Sequence, residues 1–153
     1  MQHTRDIGMI LVGETAVTRS VRPAFFPMLV PFPIACFVGA FVTDLVYWQS
    51  LDVMWERFSA WLITVGLVLA AVAVIAGVID LFRGKRIHSW THVVGYVLAV
   101  LVSLINILVH SRDGYTAVVP DGLALSALVV VILLVTGWLG STVVDRERMG
   151  EVR

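Results

Sequence analysis

Four long apolar runs constrain this chain more than any other feature of its sequence. They cover about residues 28–48, 58–82, 90–110 and 122–144, and each approaches the roughly 20 apolar residues that a helix needs to cross a bilayer. A soluble domain carries about 25% charged residues, whereas this chain carries 14% and is 59% hydrophobic. The runs therefore predict an all-α membrane protein, an antiparallel bundle of four transmembrane helices joined by short loops. We expect residues 1–153 to form a single domain with tails at 1–22 and 145–153.

A proline-rich segment leads into the first run. It contains Pro23, Pro27, Pro31 and Pro33. Each proline removes a backbone N–H donor, so these residues cannot all lie inside one straight helix. We predict a kinked or interfacial lead-in, with the regular helix beginning near Phe32.

Basic residues are distributed unevenly between the two sides of the predicted bundle. Only Arg57 and Arg112 fall on the side opposite the termini. The nine other Lys and Arg residues share the side of the termini: Arg5, Arg19, Arg22, Arg83, Lys85, Arg86, Arg146, Arg148 and Arg153. The positive-inside rule makes that side cytoplasmic. The sequence thus predicts a multi-pass protein of the bacterial inner membrane, with both the N-terminus and the C-terminus in the cytoplasm.

The third run carries four polar residues on one helical face. At about 100° per residue, His92, Ser103, Asn106 and His110 fall within a narrow sector. Polar groups at membrane depth need partners or have a function. His92 and His110 lie roughly 27 Å apart along the helix, so they belong to two separate sites near opposite sides of the membrane.

The first predicted site lies near the outer side. Asp44 is at a depth similar to that of Asn106 and His110, and Ser111, Arg112 and Asp113 follow directly. We expect an outer polar cluster of Asp44, Asn106, His110, Arg112 and Asp113, in which Asp44 accepts from Asn106, His110 or Arg112. Such a cluster either forms a proton, ion or quinone site or fixes helix packing by hydrogen bonds and ion pairs.

The second predicted site lies near the cytoplasmic side and contains Asp80, Arg83 and His92. A short loop joins the second and third runs, which places Asp80 and His92 at similar depth. Asp80 either hydrogen-bonds His92 and fixes its tautomer or pairs with Arg83, three residues further along the same helix.

Several classes of function are disfavoured. The net charge is zero, which excludes a broad basic surface for nucleic acid. The single cysteine, Cys36, excludes an internal disulfide and a multi-thiolate metal site. The chain contains no nucleotide-binding glycine loop, HExxH helix or GxSxG turn, which favours a non-catalytic protein over an enzyme.

Cofactor and partner expectations follow from the histidines and the apolar surface. His92 and His110 are the only span-embedded histidines and cannot share one iron, so no cofactor is predicted. Haem b would require a homodimer with paired third helices, a second ligand from His88 in the loop or His3 in the tail, or two separate sites that use His92 and His110. The expected partners are the lipid bilayer and either a second copy or a larger membrane complex.

Five segments resemble the predicted bacterial membrane proteins of the domain-of-unknown-function 2231 (DUF2231) family. They are FPMLVPFPIACFVGAFVTDLVYW (26–48), WERFSAWLITVGLVLAAVAVIAGVIDLF (55–82), HVVG (92–95), SLINILVHSRD (103–113) and LVTGWLGSTVV (134–144). The resemblance implies a four-helix inner-membrane protein without an established activity. Some members look fused to Rieske-type or cytochrome-like domains, which implies a link to electron transfer by association only.

This chain departs from the family pattern at three places. The pattern has a histidine where this chain has Phe26, and an asparagine where it has Tyr96. It also has an Arg-His pair near the C-terminus, where this chain reads Arg146-Glu147-Arg148. A redox role that depended on those histidines would be lost here.

Three functions remain open on the sequence. The first is a non-catalytic scaffold or accessory subunit whose polar clusters fix its packing. The second is a redox, quinone- or haem-linked electron-transfer subunit that uses His92 and His110. The third is a small transporter or proton-conducting module lined by Asp44, Asn106, His110 and Asp80.

Overall fold

The computed structural model describes residues 24–84, 90–112 and 118–151, with side chains described as far as residue 139 except for that of Val118. Within these ranges the helices are α1 (Phe26–Leu29), α2 (Pro31–Ser50), α3 (Val53–Phe82), α4 (Trp90–His110) and α5 (Leu123–Glu151). Four stretches are long and apolar enough to cross a membrane: Phe26–Ser50, Val53–Phe82, Trp90–His110 and Val119–Leu139. The predicted all-α, four-span membrane fold is therefore confirmed.

The proline-rich lead-in is a short helix followed at once by the long one. Val30 keeps helical angles between α1 and α2, and its carbonyl accepts the N–H of Ile34 at 3.4 Å. Pro31 and Pro33 have no N–H to donate to the preceding turn, which interrupts the hydrogen-bond ladder there. The regular helix begins at Pro31, one residue before the predicted start.

The turn between α2 and α3 contains only Leu51 and Asp52. Leu51 adopts a left-handed conformation (φ 54°) and ends α2, and its N–H donates to the Tyr47 carbonyl at 2.8 Å. The Asp52 side chain accepts the N–H of Met54 at 3.0 Å and caps α3. This cap starts α3 at Val53, earlier than the predicted start near 58, and brings Glu56 into its first turn.

The other two long helices agree with the prediction to different degrees. α4 has the predicted bounds, whereas α5 continues to Glu151, so most of the segment predicted as a tail at 145–153 is helical. A single irregular turn, Val118–Gly122, precedes α5, with Val119 in an extended conformation.

The four long helices pack in a closed ring. α2 lies mainly against α3, and α4 lies mainly against α5, while α2–α5 and α3–α4 contacts close the ring. Phe37, Ala99 and Val129 form the buried core. Gly95 allows α4 and α5 to approach closely, because a Cβ at this position would overlap the side chain of Thr136 on α5.

Burial is inverted relative to a soluble protein. Large apolar side chains cover the outer surface, including Val68 and Leu134, which are 59% and 67% exposed. Asp44, Ser59 and Asn106 are instead among the most buried side chains. The apolar outer surface is suited to lipid, and the polar interior contains the candidate functional site.

Candidate functional site

The ends of α2 and α4 and the start of α5 meet at one end of the bundle. Asp44 lies near the end of α2, Asn106 and His110 occupy the last turns of α4, and Ser126 lies in the first turn of α5. Their exposed fractions are 0%, 2%, 6% and 2%, respectively. These four residues are called the Asp44 cluster below.

The Asp44 carboxylate accepts hydrogen bonds at both oxygens. Oδ1 lies 3.2 Å from Nε2 of His110, and Oδ2 accepts the hydroxyl of Ser126. The Ser126 oxygen in turn accepts from Nδ2 of Asn106 at 2.7 Å. A continuous chain therefore runs from Asn106 through Ser126 to Asp44 and joins α4, α5 and α2.

The second nitrogen of His110 determines its tautomer. Nδ1 lies 3.0 Å from the backbone carbonyl of Asn106, and a carbonyl can only accept, so Nδ1 carries a proton. The Asp44–His110 bond then contains one further proton, located either on Nε2 or on Oδ1. The pair is an imidazolium with a carboxylate or a neutral imidazole with a carboxylic acid, and its net charge is zero in both forms.

A second buried carboxyl group lies beside the cluster. Glu56, in the first turn of α3, is 4% exposed, and the charges of His110, Arg57 and Asp44 act on it. One turn further along α3, the hydroxyl of Ser59 donates to the Ala40 carbonyl of α2 at 3.3 Å. All four long helices thus contribute buried polar groups to this end of the bundle.

The sequence predicted only part of this site. It placed Asp44, Asn106 and His110 together, but it missed Ser126 and Glu56. The signal for Ser126 was a lone hydroxyl at the start of an apolar run, and the signal for Glu56 was its position four residues after the capping residue Asp52.

Of the three donors that the sequence offered to Asp44, the structure describes a direct bond from His110 and none from Arg112. Asp44 is fully buried and already bonded at both oxygens, whereas Arg112 lies beyond the end of α4 and is exposed. A buried carboxylate is stabilised by short side chains at its own depth, and a guanidinium at the boundary remains solvated. Asp113, the remaining predicted member, lies outside the described residues.

The second predicted cluster, around Asp80, is organised differently from the prediction. Oδ2 of Asp80 accepts the backbone N–H groups of Phe25 and Phe26 at 2.7 and 3.0 Å. The Arg83 guanidinium carbon instead lies 5.1 Å from the centre of the Phe25 ring. Bonds from His92 or Arg83 are not among the contacts described for Asp80. The first N–H groups of α1 have no acceptor within their own helix and use Oδ2 of this carboxylate.

The polar face of α4 is buried except at its start. Ser103, Asn106 and His110 are buried, whereas His92 is exposed in the first turn. The Ser103 hydroxyl, the Tyr96 hydroxyl and the Asn106 Oδ1 have no hydrogen-bond partner among the described residues. His92 therefore does not belong to a buried cluster.

The two candidate haem ligands have different environments. Both ring nitrogens of His110 are within hydrogen-bond distance of other groups, so iron could bind there only after one of those contacts broke. His92 is exposed and has no such constraint.

The match to a family model agrees with the fold. Residues 22–153 match the family described as a predicted membrane protein (DUF2231). The chain belongs to this family. Comparison of this DUF2231 protein with curated proteins and with solved structures gave no significant match. The family description specifies a membrane protein and names no activity.

Phe26 and Tyr96 are in contact. At both positions this DUF2231 protein departs from the pattern that the resemblance implied. The rings of Phe26 and Tyr96 meet edge to face, with centroids 6.0 Å apart. An aromatic contact between α1 and α4 thus occupies the place where the resemblance implied a histidine and an asparagine, and that histidine is replaced by a phenylalanine, which has no ligand atom.

Proposed function

We propose that this protein is a non-catalytic scaffold or accessory subunit of the bacterial inner membrane, and that the Asp44 cluster joins its helices into one rigid unit. The supporting observation is the chain that links Asn106, Ser126 and Asp44, together with the bond from Asp44 to His110. These side chains are at most 6% exposed. In hydrocarbon, separating them would leave polar groups without partners, so the cluster opposes helix separation.

The proposed role requires no cofactor and no enzymatic step. It does require a partner, either a second copy of the chain or another membrane protein, on the apolar outer surface. We further propose that both termini are cytoplasmic, on the basis of the basic residues that flank the spans. A C-terminal reporter active only in the cytoplasm tests this orientation, and activity only from a periplasmic reporter would overturn it.

A double-mutant cycle tests the structural role of the cluster. The variants are Asp44→Ala, His110→Ala and the double variant, compared by reversible unfolding in detergent. Each single change leaves a buried partner uncompensated, and we expect it to cost about 3–5 kcal/mol. The double change should cost less than the sum, with a coupling of about 1.5–3 kcal/mol for a bond to a charged group.

The matched control is the same cycle with Arg112→Ala in place of His110→Ala. Arg112 is exposed and makes no bond to Asp44, so its effect should add to that of Asp44→Ala within about 0.5 kcal/mol. Equal coupling in the two cycles would show that the Asp44–His110 bond does not hold the helices together.

A further inference from the structure

The Asp44 cluster has one buried atom without a partner. Oδ1 of Asn106 makes no hydrogen bond to any residue that the structure describes, although Nδ2 of the same amide donates to Ser126 at 2.7 Å. Asn106 is 2% exposed, and leaving a buried acceptor unbonded costs about 1–3 kcal/mol. This atom has no function in the present arrangement of the cluster.

The unpartnered oxygen accepts a hydrogen bond if the direction of donation along the Asn106–Ser126–Asp44 chain is reversed. At present Nδ2 of Asn106 donates to Ser126, and the Ser126 hydroxyl donates to Oδ2 of Asp44. A proton on Oδ2 would make Asp44 the donor to the Ser126 oxygen. The Ser126 hydroxyl would then donate to Oδ1 of Asn106, after a half-turn of the amide about its Cβ–Cγ bond.

The reversed chain conserves the hydrogen bonds of the cluster. A hydroxyl both donates and accepts, and an amide offers either a donor or an acceptor to the same neighbour, so no backbone movement is required. Nε2–H of His110 continues to donate to Oδ1 of Asp44, and Nδ1–H continues to donate to the Asn106 carbonyl. The only net change is one added proton, which raises the charge of the Asp44–His110 pair from zero to plus one.

We propose that Asp44 is a proton-binding site, loaded at Oδ2 from the aqueous side at this end of the bundle by reversal of the Asn106–Ser126–Asp44 chain. This inference goes beyond the structural role, because a cluster that only joins helices needs a single hydrogen-bond arrangement. The buried Glu56 carboxyl, in the first turn of α3, lies beside the pair.

Other titratable or charged groups surround the site. Among the described residues they are Tyr47 on α2, Glu56 and Arg57 on α3, His110 on α4, and the exposed Asp52, Arg112 and Asp121 in the flanking turns. The described part of α5 contributes only neutral side chains, including Ser126. A test must therefore report on Asp44 and Asn106 individually.

The composition of the chain makes that test direct. Asn106 is the only asparagine in the sequence, so full-length protein labelled with ¹⁵N-asparagine gives signals from a single side-chain amide. Labelling aspartate with ¹³C at Cγ in cell-free synthesis reports Asp44 without interference from Glu56, and the Asp44 signal is assigned by its loss in Asp44→Ser. Both signals are followed from about pH 8 to about pH 4 in lipid nanodiscs.

We expect the Asp44 and Asn106 signals to change together, with the same midpoint. The Ser126→Ala variant lacks the hydroxyl that links Asn106 to Asp44. The signal of the Asn106 amide should then no longer change with the protonation of Asp44. Ser103→Ala is the matched control, because Ser103 is equally buried at 2%, lies one turn from Asn106 and makes no hydrogen bond to a described residue. This variant should behave like the unchanged protein.

Two results would overturn the proposal. A constant Asp44 signal over the whole range would show that no proton is taken up. If the Asn106 signal still changed with pH in Ser126→Ala, the amide would be sensing the charge of Asp44 through space. The hydrogen-bond chain would then not reverse. If Ser126→Ala does not fold, Ser126→Thr retains the hydroxyl, and different midpoints for Asp44 and Asn106 in that variant would also refute the reversal.

The outcome is separate from that of the proposed function. Weak coupling in the Asp44–His110 cycle would remove the structural role while leaving the paired titration intact. If the Asp44 signal did not change with pH while the Asp44–His110 cycle gave strong coupling, the cluster would only join the helices.

Discussion

Replacement of Gly95 by alanine should force α4 and α5 apart. A Cβ at this position would lie 2.7 Å from Cβ and 2.5 Å from Cγ2 of Thr136, whereas an ordinary contact begins at 3.4 Å. Rotation of the Thr136 side chain cannot relieve the overlap, because its Cβ is fixed by the backbone. Its hydroxyl is also bonded to the Ile132 carbonyl at 2.6 Å.

The helices must therefore separate by several tenths of an ångström along their contact. Overpacking of this kind typically costs about 1–3 kcal/mol, and we expect a loss of that size in the free energy of unfolding of Gly95→Ala. Gly137→Ala is the matched control, because no described residue has an atom within 4 Å of a Cβ there. Alanine is the better helix former, so this variant should be neutral or more stable by up to about 1 kcal/mol.

Reversible unfolding in detergent, followed by circular dichroism, measures both variants. Adding Thr136→Gly to Gly95→Ala removes the opposing Cβ and should recover part of the lost stability, whereas Thr136→Ala should not. Equal stability of Gly95→Ala and Gly137→Ala would refute the close approach of α4 to α5.

Two other substitutions test features at opposite ends of the bundle. Asp80→Leu removes the acceptor for the N–H groups of Phe25 and Phe26 and should cost about 1.5–3 kcal/mol. Hydrogen exchange at residues 25–30 should accelerate in Asp80→Leu but not in Asp121→Leu, whose side chain is exposed, and unchanged exchange in both would contradict the cap. Leu51→Gly should stabilise the protein by about 0.5–1 kcal/mol, because Leu51 is 72% exposed and left-handed. Leu51→Ala relieves no backbone strain and serves as the control. Equal melting temperatures of Leu51→Gly and Leu51→Ala would contradict the strain at this position.

The sequence predicts the spans well because hydropathy and length determine them. Asp44, Asn106 and His110 were also predictable as one cluster, because position along a helix gives depth in the membrane. Ser126 was not, because a single hydroxyl in an apolar run does not show which neighbouring helix it faces. That information depends on the order of helices around the ring.

The described surroundings of Asp80 and His92 differ from the expectation for related reasons. The described partners of Asp80 Oδ2 are backbone N–H groups, which every residue except proline carries, so no side-chain pattern indicates them. His92 keeps the spacing of the buried face of α4 but lies in its first turn, where the neighbouring helices no longer cover it. Helical periodicity gives the direction of a side chain, whereas burial also depends on where the adjacent helices end.

The partners of Asp44 and Asp80 have a consequence for the order in which the chain assembles during synthesis. Asp80 bonds to backbone groups 54 and 55 residues earlier, so the first helical hairpin is complete as soon as the second span has been made. Asp44 must wait for Ser126, 82 residues later. Until the last span leaves the ribosome, the first span carries a carboxylate without one of its two partners, so insertion of that span and burial of Asp44 are separate events in biogenesis.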